Sequence, residues 1–140
     1  MAQALSKPVP RAGGLRLLVV EDEVMISSLI EDMLAELGHH VVGSAASVEE
    51  AAGLAAGAEF DVALLDVNLQ GQTVESVAAT LARRGKPFVF TTGYGERAIP
   101  AAFKDRPLLP KPYQIDQLGA LLDRIQTTDG GGQSAERSAS

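Results

Sequence analysis

The stretch FDVALLDVNLQG, residues 60–71, decides how the rest of the chain is read. Val62, Ala63, Leu64 and Leu65 are apolar without alternation, as expected of a strand covered on both faces. The run stops at Asp66 and a turn containing Gly71 follows. Strands end at turns and Asp is a turn residue, so Asp66 alone decides nothing. The question is whether other strands of this chain end the same way.

Outward from that stretch, apolar runs alternate with helical patterns. LRLLVV (15–20) predicts a first strand, and Ile26, Leu29, Ile30, Met33, Leu34 and Leu37 form one face of a helix closed by Gly38. HVVGSA (40–45) predicts a second strand. Ser47 with Glu50 reads as a capping box on a short helix that Gly57 ends. After the third strand, Val74, Val77, Ala78 and Leu81 mark a helix that stops at Gly85, and KPFVFT (86–91) is a fourth strand. A short, poorly patterned helix is expected over residues 96–103, where Pro100 suits only a first turn or a break. PLL (107–109) is a brief fifth strand, and Ile115, Leu118, Leu121, Leu122 and Ile125 carry the last helix. Five such units with short connections imply an α/β fold, a doubly wound five-stranded parallel sheet with helices on both faces.

Composition narrows the function. The chain has 140 residues, one domain's worth, and is 46% apolar but only 4% aromatic. A net charge of −6 argues against a nucleic-acid partner, and the absence of Cys excludes disulfides and thiolate sites. No apolar run approaches the ~20 residues of a membrane span, and no signal-peptide core is visible. No membrane association is therefore expected, and a cytoplasmic location is. Residues 1–14 and 127–140, rich in Gly, Ser, Pro and Ala, read as disordered tails around a domain at 15–126. His39-His40 reads as an exposed turn, and Arg83, Arg84 and Lys86 as a solvated helix end.

In doubly wound sheets the functional crevice lies at the carboxyl ends of the strands, and there the other strands answer the question. The first ends in Glu21-Asp22, the third in Asp66 and the fourth in Thr91-Thr92, while the fifth leads into Lys111-Pro112. Taken singly, acidic residues suit a helix N-terminus, Thr-Gly an ordinary turn and Lys a solvated surface. Together they set carboxylates, a hydroxyl and an ammonium on one sheet edge. Clustered carboxylates repel unless a hard divalent cation neutralises them, and oxygen-only ligands suit Mg²⁺. An Asp beside Mg²⁺ can act as a nucleophile toward phosphorus, with Lys111 and Thr92 neutralising the transferring oxygens.

The motifs VVEDE, LLDVNL, TTGYG and LPKPY, in that order at successive strand ends, resemble those of response-regulator receiver domains over nearly all of residues 15–126. The resemblance implies a flavodoxin-like strand order 2-1-3-4-5. It makes Asp66 the phosphoacceptor, Glu21 and Asp22 the acidic pair at the Mg²⁺ site, and Asn68 a metal ligand through its backbone carbonyl. Thr92 becomes the switch hydroxyl and Lys111 the phosphate-binding lysine, with a cis peptide before Pro112. It implies no enzyme beyond participation in phosphorylation and dephosphorylation at Asp66. The implied partners are a sensor histidine kinase or histidine phosphotransfer protein, and an unidentified output protein.

With no output domain after residue 126, the chain resembles the stand-alone receivers. PFVFTTGYG (87–95) resembles the motif of the alphaproteobacterial single-domain subgroup FATGUY, with Thr91 in place of Ala. Gln70 stands where Pro is common, a difference expected to touch only loop geometry. Leu108 stands where an aromatic residue usually rotates on activation, so Tyr94 is the expected switch aromatic, within a mobile 92–103 segment. Two rival readings fit parts of the pattern. A phosphohydrolase of the haloacid-dehalogenase type would carry an acid/base Asp where Asn68 stands, and a non-phosphorylated scaffold receiver would need none of the site.

Overall fold

A computed structural model describes residues 14–93 and 98–130. The strands are β1 (Arg16–Val20), β2 (His40–Ala45), β3 (Val62–Asp66), β4 (Phe88–Thr92) and β5 (Leu108–Pro110). The helices are α1 (Val24–Glu36), α2 (Val48–Gly57), α3 (Glu75–Arg83) and α4 (Ile115–Gly130). All strand pairs of the main sheet are parallel, in the order β2-β1-β3-β4-β5. This is the expected 2-1-3-4-5 arrangement. β3 pairs on both edges and is buried at every position, which explains its unbroken apolar run.

Alternation along the strands sorts side chains to two faces. Leu18, Val20, Ala63, Leu65, Phe88 and Phe90 pack with α2 and α3, through Ala51, Ala55, Val77, Ala78 and Leu81. Leu17, Val19, Val62, Leu64, Val89 and Leu109 pack with α1 and α4, through Ile30, Leu34, Leu118 and Leu122. Carried one step past the core, the second parity puts Glu21, Asp66, Thr91 and Lys111 in register with the α1/α4 face. The fold thus delivers residues from the ends of β1, β3, β4 and β5 to one place.

Two helix ends obey the glycine reading. At Gly38 (φ 89°), Gly38 N–H donates to Ala35 O and His39 N–H to Leu34 O. At Gly85 (φ 71°), Gly85 N–H donates to Ala82 O and Lys86 N–H to Leu81 O. Both are Schellman closures that need a left-handed residue. At α2, Ser47 Oγ accepts from Glu50 N–H at 3.1 Å, but Glu50 Oε1 reaches back to Ala46 N–H at 2.8 Å rather than to Ser47. On edge strand β2 the register with β1 shifts between Leu17 and Leu18, leaving Val42 as the extra residue, 49% exposed.

Three local readings need correction. His39 is buried, not an exposed turn: its Nδ1 accepts the Leu15 N–H at 2.9 Å. Arg84 and Lys86 are not simply solvated. Arg84 Nη1 donates to Ala55 O and Ala58 O at the end of α2, Lys86 Nζ donates to Phe60 O, and both cations lie over the Phe60 ring. The helix expected over 96–103 is, among its described residues, a 3₁₀ turn at Ala101–Phe103. Pro100 takes the break, with ψ 141°. Phe103 still anchors the segment, edge-on to Phe88 at 5.8 Å.

Candidate functional site at the carboxyl edge of the sheet

Glu21 and Asp66, the residues just beyond β1 and at the end of β3, are both buried, and Lys111 beyond β5 joins them. Lys111 Nζ lies 3.0 Å from Asp66 Oδ2 and 3.2 Å from Glu21 Oε1. The other Asp66 oxygen, Oδ1, accepts the Asn68 N–H at 3.1 Å. Glu21 Oε2 accepts the Glu23 N–H at 3.2 Å, and Glu21 Oε1 also lies 3.5 Å from the Tyr113 hydroxyl. Asp22 points to the other wall, where its Oδ2 accepts the Gln70 N–H at 2.9 Å.

Charge is unbalanced here. One ligand atom from each of Glu21, Asp22 and Asp66 lies within 4.8 Å of the others, while Lys111 is the one cation within contact of Glu21 and Asp66 among the described residues. Burial first, and the Asp66 charge second, push the Glu21 carboxyl above the usual range, against the pull of Glu23 N–H and Lys111. Burial works against the Lys111 charge, but the Asp66 hydrogen bond and charge outweigh it and hold the ammonium above the ordinary lysine range. Three carboxylates and one ammonium make a donor set of hard oxygens with surplus negative charge, which fits a small divalent cation.

These groups border a cleft of about 350 Å³ that Asp22, Glu23, Ile26, Asp66, Asn68, Thr92, Gly93 and Lys111 line. A larger hollow of about 470 Å³ runs along α1 and β2, but its lining includes neither Lys111 nor any of the three clustered carboxylates. The chemistry belongs to the smaller cleft. The structure therefore brings together Glu21, Asp22, Asp66, Asn68, Thr92 and Lys111, and the Lys111–Pro112 peptide is cis. Leu108 packs on the opposite, α2/α3 side of the sheet. Tyr94 lies outside the described residues.

Gln70 was misjudged in the sequence, and Tyr113 went unread. Gln70 does more than shape a loop, since its N–H, which Pro would lack, holds Asp22. Tyr113 is buried and its hydroxyl meets both Glu21 and Thr91. No strand pattern signals it, because Tyr113 lies past the end of β5 and past the cis Lys111–Pro112 peptide, where alternation no longer holds.

The chain matches the family model for the response regulator receiver domain over residues 17–123. The transcriptional regulatory protein TcrA of Mycobacterium tuberculosis is 34% identical over 117 residues, 80% of this chain and 46% of TcrA. PdtaR of the same species is 30% identical over 114 residues, 79% of this chain and 54% of that protein. The chain thus spans about half the length of the curated relatives it matches. Among solved structures, SdrG from Sphingomonas melonis Fr1 superposes with a TM-score of 0.70 at 38% identity, covering 79% of this chain and 94% of SdrG. The receiver domain of Erythrobacter litoralis PhyR gives 0.69 at 29%, covering 83% and 92%. These neighbours agree with the subgroup resemblance of residues 87–95. With the match over residues 17–123 and the parallel 2-1-3-4-5 sheet, the chain belongs to the response regulator receiver domain family.

Proposed function

We propose that this chain is a phosphoacceptor of a two-component, His-Asp phosphorelay system, phosphorylated on Asp66. The observation that carries the reading is the Lys111 ammonium bridging Asp66 Oδ2 and Glu21 Oε1 beside a three-carboxylate cluster. In the transfer, an Asp66 carboxylate oxygen forms the new P–O bond as the P–N bond to a donor histidine breaks. The donor ring, protonated on its other nitrogen, keeps that proton and leaves as neutral imidazole, and an aspartyl phosphate remains. Glu21, Asp22 and Asp66, with the Asn68 backbone carbonyl, would hold Mg²⁺, which supplies charge neutralisation on the phosphoryl oxygens when bound. Lys111 moves from pairing a bare carboxylate to pairing the phosphoryl group. Thr92, at the rim of the same cleft, supplies a hydroxyl to that group and is the switch residue.

The donor is a sensor histidine kinase or histidine phosphotransfer protein, and the readout is an output protein that binds the phosphorylated face. A cytoplasmic location belongs to this reading. Asn68 argues against the phosphohydrolase, because its side-chain Oδ1 is occupied by the Gly71 N–H at 2.9 Å and no acid/base Asp stands in its place.

The test uses acetyl phosphate with and without Mg²⁺, followed by mass spectrometry. The expected result is a labile gain of one phosphoryl group that requires Mg²⁺ and is absent in Asp66→Asn. An equal gain in that variant would place the acceptor elsewhere.

A further inference from the structure

Tyr113 follows the Lys111–Pro112 pair and is buried in the apolar layer under α1 and α4, beside Leu109 and Leu118. A phenol in such a layer needs partners for its hydroxyl. It has two: the hydroxyl lies 3.5 Å from Glu21 Oε1, a long hydrogen bond, and it also bonds the Thr91 hydroxyl. An ionised carboxylate only accepts, so the phenol proton points at Glu21 and the Thr91 hydroxyl donates to the phenol oxygen. The outcome is a directed relay, Thr91 to Tyr113 to Glu21. It ends on the same oxygen that Lys111 Nζ reaches at 3.2 Å.

Packing does not ask for these hydroxyls. Phe would fill the Tyr113 space, and Val would fill that of Thr91, which is buried in parity with Val89. Hydroxyls buried in an apolar layer cost free energy unless bonded, and removing both members of such a pair is nearly neutral. What the pair adds is a donor aimed at one carboxylate of the acidic cleft. Thr91 is also the position where the resembled motif has Ala.

We infer that Tyr113, backed by Thr91, is a positioning residue that fixes the Glu21 carboxylate, and through it the Lys111 ammonium, in the geometry that divalent-cation binding and Asp66 phosphorylation need. The inference rests on the proposed receiver chemistry of the cleft.

The experiment is a Mg²⁺ titration of the full chain, read from the backbone amide shifts of residues 21–23 and 66–69, with melting curves in parallel. Tyr113→Phe and Thr91→Val are expected to weaken Mg²⁺ binding about tenfold, the usual effect of removing a hydrogen bond behind a metal ligand. Thr91→Ser should restore wild-type affinity, and the double variant should be no weaker than Tyr113→Phe. A purely structural role would instead lower the metal-free melting temperature and leave Mg²⁺ affinity unchanged, and that result would overturn the inference. Wild type that takes up no Mg²⁺ overturns the receiver reading itself, a failure visible before any variant is compared.

Discussion

His39 shows how one buried residue ties a loop to the core and makes stability depend on pH. Its Nδ1 accepts the Leu15 N–H at 2.9 Å, anchoring the entry of β1 to the end of α1. Burial lowers its pKa; the Asp123 carboxylate on α4 opposes that shift and neighbouring His40 adds to it. The folded value therefore lies below the unfolded one, near 6.5. Between the two, the unfolded chain binds a proton that the native state refuses, so stability present above that pH is lost as pH falls through the folded value. Protonation also removes the acceptor from Leu15 N–H. Glu21 titrates with the opposite sign, because its raised pKa makes acidification stabilising until its unfolded value is passed. The two are separated by His39→Asn, which keeps an acceptor near Nδ1 and does not titrate. Denaturant unfolding at pH 7 and pH 5.5 is expected to show wild type losing more stability than His39→Asn. Equal losses would mean that His39 is protonated without penalty.

At the scale of elements, the small hairpin Asn68–Leu69 and Gln72–Thr73 connects the acceptor strand to α3. Its two turn residues, Gln70 (φ 55°) and Gly71 (φ 80°), are both left-handed, as a two-residue hairpin turn with the twist of its arms requires. Pro could not take this φ and has no N–H for Asp22, so Gln70 permits both the turn and the bond at 2.9 Å. Gln70→Gly keeps both, and is expected to leave stability unchanged or raise it by up to about 1 kcal/mol by removing left-handed strain. Gln70→Pro, though it matches the commoner residue, is expected to open the hairpin. Amide exchange across residues 68–73 would report it, and protection equal to wild type would refute it. Among the described residues, periodicity was enough to reveal the five strands and four helices, and Gly38 and Gly85 marked two of the helix ends, because buried parallel strands and amphipathic helices carry strong apolar patterns. The hairpin was not legible, since it is held by backbone bonds to Asp22 and Asp66 rather than by any side-chain pattern. The Pro100 segment failed similarly: a 3₁₀ turn pinned by Phe103 has too few residues to show a period.

Over the whole molecule, the sheet works as a frame that forces like charges together. Polar residues that follow parallel strands share one sheet edge, so the acidic cluster could be read from strand-end positions, while the strand order came from the family resemblance. The direction of each carboxylate could not, because Lys111, Tyr113 and Gln70 decide it through contacts at sequence separations of 45, 92 and 48 residues. Folding thus brings Glu21 and Asp66 into burial with one ammonium between them, and part of the folding free energy is withheld until a cation arrives. A ligand that binds only the native state adds RT ln(1 + [L]/Kd), about 2.7 kcal/mol at a hundredfold excess over Kd. Millimolar Mg²⁺ is therefore expected to raise the melting temperature of the wild-type chain. Asp66→Asn removes one of the repelling charges but leaves Lys111 its partner Glu21 at 3.2 Å. In metal-free buffer it is expected to be more stable than wild type by about 1 kcal/mol, the scale of one unit of pKa, and its response to Mg²⁺ should shrink. Paired melting curves with EDTA and with Mg²⁺ decide the matter. If Asp66→Asn melts below wild type in EDTA, then the Lys111–Asp66 pair outweighs the repulsion, and the strand ends on a salt bridge rather than on a carboxylate held ready for a cation.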